Sequence, residues 1–215
     1  MNTDINWFPE WYSTQATTDE KLLFDKVNEF GEQFFGDMLF REGTSTYELL
    51  KFKSAPLGSD DFKDDMFSPP DQLDNFEYLW FHFKVEELDD CGGMFDEDNQ
   101  TLTVTPATLE DEITILHELI HLHEFVINDL SMGFHDMVFW ALYKDLREKI
   151  PGLDDIITDH ANVVTGSNIC AMGGTHNILF LLKSFDLDIR KGYPLGTVFA
   201  YGRTEIFKSY SYKGD

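Results

Sequence analysis

From Thr18 to about Phe35, apolar residues recur at Leu22, Leu23, Val27, Phe30 and Phe34. That spacing predicts an amphipathic helix, with Thr18 as its cap. Two strand signals follow, Tyr78 to Val85 (YLWFHFKV) and Thr101 to Val104 (TLTV), both rich in β-branched and aromatic residues. A short strand around Gly93 to Phe95 is expected to pair with the second across the turn-rich DEDNQ. Ile113, Leu116 and Ile120 form the apolar stripe of a further helix, read from near Leu109 to about Val126. Thr108 with Asp111 resembles a capping box there, and Glu110, Asp111 and Glu112 suit the positive end of the helix dipole. A break from Asn128 to Gly133 leads to a helix from about His135 to Lys149, carrying Phe139, Trp140, Tyr143 and Leu146 and stopped by Pro151-Gly152. Beyond Pro151 the pattern predicts a short helix from Asn177 to Phe185 and a strand-like run from Gly196 to Phe207. Ser54 to Asn75, with Gly58, Pro69 and Pro70, reads as loop. Helix, strands, then helices describes an α+β domain.

The chemistry concentrates in the helix that starts near Leu109. It contains His117-Glu118-Leu119-Ile120-His121, and two histidines four apart on a helix lie on one face, so both imidazoles reach one metal ion. Glu118 lies roughly 100° round from His117. A carboxylate there can take a proton from a metal-activated water without becoming a ligand itself. A catalytic zinc takes three protein ligands and keeps its fourth position open, so a third donor is needed. His135 leads, because the break around Gly133 lets the next helix present its first turn to the metal. His160 and His176 are rivals that depend on a longer tertiary return. His123 lies roughly 200° round the helix from His121 and points away, as a surface or supporting residue. Glu124 shares the face of His117 and is read as a supporting or cleft residue. Tyr143 and His160 are the candidate donors to a developing oxyanion.

Charge narrows the partners. The 215 residues carry a formal net charge of −24, which repels phosphate backbones and favours a basic peptide or protein substrate. No nucleic acid is expected. Fourteen acidic residues between Asp60 and Asp98 are set against only Lys63 and Lys84, and a solvated acidic surface accounts for them more readily than a docking role. Asp96-Glu97-Asp98-Asn99 lacks the glycine and distal glutamate of a calcium loop and reads as a hairpin turn. Cys91 and Cys170 are too few for a disulfide framework or a cysteine zinc ribbon. The N-terminus has neither basic leader nor apolar h-region, and no run reaches the ~18 apolar residues of a membrane span. The expectation is a cytoplasmic protein without a membrane partner.

These residues resemble the SprT-like, or Spartan-type, zinc metalloprotease family within the minimal HExxH zincins. LFDKVNEFGEQFFGDML, from Leu23 to Leu39, is similar to that family's opening helix, and CGGMFDEDNQTLTV, from Cys91 to Val104, to its strand pair. His117, Glu118 and His121 match its motif, and Gly133-Phe134-His135 resembles its ligand turn. His135 followed by Phe139-Trp140 is similar to a pattern of small bacterial relatives. The resemblance spans roughly residues 18 to 148. It implies a minimal zincin-like fold, a small antiparallel or mixed sheet packed on the HExxH helix, with a catalytic domain over 15–150 and a C-terminal extension over 151–215 packed on it. It implies Zn²⁺ held by His117, His121 and His135. No cysteine zinc ribbon follows, and with the negative charge this departs from the DNA-associated members. Gly196 to Gly202 (GTVFAYG) is faintly similar to a GTxxxxYG motif of another zincin group, but the Asp ligand expected there is absent.

The expectation is therefore a zinc-dependent metallopeptidase with Glu118 as general base, its substrate paired along a strand such as Thr101 to Val104. The rival reading is a zincin-fold binding or regulatory module with little catalysis. A zinc hydrolase acting on a non-peptide amide is a third.

Overall fold

The computed structural model describes residues 17–35, 39–42, 47–51, 80–130, 132–166, 176–203 and 207–213. They are α+β and fall into two compact units, Met1–Asp111 and Glu112–Asp215. The loop expected from Ser54 to Asn75 lies outside the described residues, as do seven of the fourteen acidic residues between Asp60 and Asp98.

The first unit opens with α1, Thr18–Phe34. Its cap is Thr17, one residue before the expected Thr18. The Thr17 hydroxyl accepts from the Glu20 amide at 3.2 Å while the Glu20 carboxylate accepts from the Thr17 amide at 2.7 Å. A reciprocal box needs a three-residue spacing to Glu, which Thr17 has and Thr18 lacks. Leu23, Phe24, Val27, Phe30 and Phe34 are buried, and the Phe24 ring meets Phe83 of β3 at 6.4 Å.

Five strands form a mixed sheet: β1 (Leu39–Glu42), β2 (Tyr47–Lys51), β3 (Trp80–Val85), β4 (Gly93–Asp96) and β5 (Thr101–Val104), in the order β1-β2-β3-β5-β4. Only β3 and β5 run parallel, His82 opposite Thr101 through Val85 opposite Val104. The β4–β5 hairpin closes as expected. Asp96 Oδ1 accepts from the amides of Asp98 and Asn99, and Oδ2 from the Asn99 side chain. The Asn99 side-chain bond chiefly holds the Asp96 carboxyl below the usual carboxylate range. Because β5 is paired on both sides and all four of its residues are buried, it has no free edge for a substrate strand. Thr108 does not cap a helix either. Its hydroxyl donates to the Gly92 carbonyl and accepts from the Thr105 amide at 3.2 Å, which ties the approach to β4, and helix begins only at Glu112.

The second unit is helical: α2 (Glu112–Leu130), α3 (Met132–Lys149), α4 (Leu153–Gly166) and α5 (Ile178–Lys191). Helix α2 packs on α3 and α5, and α5 also meets α3 and α4. The expected break from Asn128 to Gly133 shrinks to the single position between α2 and α3. Helix α5 runs six residues past the expected Phe185. The polar residues that interrupted its pattern are buried and bonded: Lys183 pairs with Asp186 at 2.7 Å, and the Ser184 hydroxyl donates to the Phe180 carbonyl. It ends at Gly192 in the left-handed region, φ 72°, where the amide of Tyr193 reaches back to the Asp188 carbonyl at 2.7 Å, a six-residue closing bond of the Schellman type.

In place of the strand expected from Gly196 to Phe207, the described residues 196–203 form a series of turns. The amides of Thr197, Ala200, Gly202 and Arg203 bond to Pro194, Gly196, Thr197 and Ala200 carbonyls. Gly196 at φ 85°, Tyr201 at 49° and Gly202 at 78° set that path, which no strand adopts. At Gly196 a methyl group would also lie 2.1 Å from the Phe207 ring, whereas at Gly192 it meets nothing within 4 Å. Gly192→Ala is expected to cost about 1 kcal/mol from backbone strain alone, and Gly196→Ala roughly 2–4 kcal/mol from strain plus overpacking. Denaturant midpoints of the two variants test this, and equal losses would contradict the packing argument.

Candidate metal centre

Fourteen consecutive residues of α2, from Thr114 to Ile127, are buried apart from half-buried His121 and Phe125. A helix covered all round is a core helix, so its polar residues must find partners inside. His117 is fully buried and Glu118 is 2 % exposed. The His117 Nδ1 lies 2.9 Å from the carbonyl oxygen of Val198. A carbonyl only accepts, so Nδ1 carries the proton and the lone pair sits on Nε2. That lone pair faces Nε2 of His176, also at 2.9 Å.

The three imidazoles of His117, His121 and His176 form a near-equilateral group, with ring centroids 5.2, 4.9 and 4.9 Å apart. One nitrogen from each lies within 4.8 Å of the others. Two come from successive turns of α2. The third is placed by the start of α5, where the Asn177 side chain accepts from the Phe180 amide at 3.0 Å and holds His176 immediately ahead of the helix. The Phe180 ring lies 4.8, 4.5 and 4.5 Å from the rings of His117, His121 and His176. Tyr201 stacks on His117 at 3.9 Å, and its hydroxyl donates to Glu118 Oε1 at 2.6 Å. The donor set therefore fits a metal ion: three nitrogens converge from a fixed apolar setting, with a carboxylate beside them.

The predicted residues divide accordingly. His117, Glu118 and His121 are brought together. His135 lies within α3 and His160 within α4, but their side chains are outside the described residues. Tyr143 donates its hydroxyl to Asp154 at 2.5 Å, not to the cluster. That bond raises its pKa. His123 is buried, not on the surface, and Glu124 is buried as well. The segment after Pro151, from which the residue pattern offered only His160 and His176 as rival candidates, brings His176, Phe180, Val198 and Tyr201 to the cluster. Only GTVFAYG, with its similarity to a zincin motif, pointed to the last two.

Burial is the main influence on the charges. It pushes His121 down to about 3 and takes His117 and His123 well below the ordinary imidazole value of 6.5. For His117 the Val198 carbonyl acts the other way, and His121 and His176 add to the lowering. Burial also lifts Asp188 from 3.8 to about 7, against the backbone amides that bind it. Neutral imidazoles are the form that binds a metal.

The shifts set a pH dependence for the metal-free protein. Below about 6.5 the unfolded chain protonates histidines that the folded state keeps neutral, so their stability is complete above 6.5 and is lost as pH falls towards 3. Asp188 acts oppositely, since the folded state keeps its proton up to about 7 while the unfolded chain releases it near 3.8. Three lowered imidazoles outweigh one raised carboxyl as pH falls below about 6.5, so the net effect is a loss of stability. Urea midpoints of chelator-treated protein at pH 7, 6 and 5 should fall in that order, and a flat or rising series would contradict the assignment. Comparison with family models, with curated proteins and with solved structures finds no match for this chain, so the site is read from its own geometry.

Proposed function

We propose that the protein is a zinc-dependent hydrolase of minimal zincin type that cleaves peptide bonds, with His117, His121 and His176 as the metal ligands and Glu118 as general base. The observation that carries the reading is the convergence of three imidazoles beside a buried Glu118 hydrogen-bonded to Tyr201. A structural zinc site is normally closed by four protein ligands, whereas three histidines leave a position for substrate. His176 takes the place expected for His135.

When bound, the ion supplies a Lewis acid that lowers the pKa of a water and polarises a carbonyl. The chain's own residues do the rest. His117 keeps its Nε2 lone pair towards the site because Nδ1–H is held by Val198. His176 would hold the ion through the ring that faces His117 Nε2 at 2.9 Å. Tyr201 donates to Oε1 of Glu118, which fixes the carboxylate plane while Glu118 takes a proton from the attacking water and returns it to the leaving amine. The net charge of −24 favours a basic peptide or protein as substrate and disfavours nucleic acid. Among the described residues no helix is long and apolar enough to cross a membrane.

Metal analysis combined with cleavage of a peptide library tests the proposal. Wild type should bind close to one zinc per chain and cleave. Glu118→Gln should keep the metal and lose turnover, because the amide preserves shape but accepts no proton. Loss of zinc in that variant would make Glu118 a ligand, and zinc binding without any cleavage by wild type would leave a binding module.

Two further outcomes follow from the ligand and orientation roles. His176→Ala should weaken zinc binding by far more than the ~10–100-fold typical of supporting residues, and His135→Ala should not; the reverse pattern would restore His135 as the ligand. Tyr201→Phe should retain zinc while kcat drops by about 10²–10³-fold. Unchanged kcat would remove Tyr201 from the reaction.

A further inference from the structure

Asp188 sits in the last turns of α5, fully buried. Its carboxylate is turned towards the chain that follows the helix: Oδ2 accepts from the Gly196 amide at 2.7 Å and Oδ1 from the Val198 amide at 3.0 Å. Two amides on alternate residues of one turn are thus gathered on one side chain. The turn is closed by Ala200 N–H to the Gly196 carbonyl and Gly202 N–H to the Thr197 carbonyl. Residue 198 is consequently held through its amide by Asp188, while its carbonyl accepts from His117 Nδ1. A buried carboxylate costs several kcal/mol to desolvate unless it is well hydrogen-bonded, and these bonds organise a segment that has no strand or helix of its own.

We propose that Asp188 is a positioning residue for the metal site, acting through the turn 196–198 on the Val198 carbonyl and hence on the tautomer and orientation of His117. Histidine ligands are commonly oriented by a carboxylate or carbonyl on the second ring nitrogen. Here a carbonyl does so directly and a carboxylate fixes the carbonyl. The role rests on the metal-site reading above, but its structural half, from Asp188 to the His117 proton, exists without any metal.

Asp188→Asn is the informative change, because the amide keeps one acceptor and turns an NH₂ towards a backbone donor. The folded variant should bind Co²⁺ and Zn²⁺ about 10–100-fold more weakly than wild type. In metal-free protein the His117 Nδ1–H resonance should exchange slowly in wild type and be lost or shifted in the variant. Ile156→Ala, a core change in α4, a helix that supplies neither the His117–His121–His176 group nor the 196–198 turn, should lower the melting temperature and leave both readouts in place. Native metal affinity with an unaltered His117 resonance in Asp188→Asn would overturn the proposal, as would an equal loss of affinity in Ile156→Ala. Should Asp188→Asn not fold, wild type decides: a His117 Nδ1–H or Val198 amide exchanging at the unprotected rate overturns the proposal. Absence of metal binding by wild type would instead sink the metal reading, and the His117 resonance would then judge Asp188 alone.

Discussion

The hydrogen bond from His117 Nδ1 to the Val198 carbonyl, 81 positions along the chain, is the constraint on which the site depends. A buried neutral imidazole has one donor and one acceptor, and whichever nitrogen gives its proton away determines where the lone pair points. With Nδ1 committed, Nε2 must face His176, and the triangle of His117, His121 and His176 follows. Without it the ring would bury an unmade donor, at about 1–3 kcal/mol, and would be free to present either nitrogen. Helix geometry spaces His117 and His121, but a local motif alone leaves ring rotation open.

Other polar groups in this core show how burial is compensated. Glu118 is buried on α2, where its Oε1 accepts from the phenol of Tyr201. Asp188 meets backbone amides rather than a cation, and burial outweighs them enough to bring its pKa to about 7. Lys183 and Asp186 do form an ion pair, fully inside α5. A buried pair of this kind adds little net stability over an apolar pair of similar volume, although removing one partner is expensive. Its effect on α5 is to let a helix of mixed composition stay buried from Leu179 to Asp188.

What was legible in the residue pattern was local. The motif helix, the β4–β5 hairpin, α1 and the Asn177 start of α5 each carry their signal within a few residues, as period, cap or turn chemistry. Misreadings occurred where tertiary partners override the pattern. Thr108 has the right neighbours for a cap, yet its hydroxyl is taken by Gly92 and Thr105. Val198-Phe199-Ala200-Tyr201 reads as strand by side chain, yet positive φ at Gly196, Tyr201 and Gly202 winds it into turns. Lys183, Ser184, Asp186 and Asp188 look like a polar end to α5 until their buried bonds are seen. Spacing alone left the third-ligand candidates open, and His176, which the structure brings to His117 and His121, comes from a separate helix start that nothing local links to α2.

This division between local and returning residues bears on how the site comes to exist. His117 and His121 are aligned as soon as α2 forms, but His176 lies 59 positions from His117, and Val198 and Tyr201 arrive later still. The triad is thus assembled only when α5 docks on α2, and its order is as non-local as the packing of that helix pair. A metal ion bridging the three rings would close that long loop, and the entropy of closure rises only slowly with its length. Binding free energy at such a site is also folding free energy for the elements it joins. On the proposed reading, then, the ion that would perform the chemistry also ties the start of α5 to α2, and the Asp188 turn completes the second side of the same ring of His117.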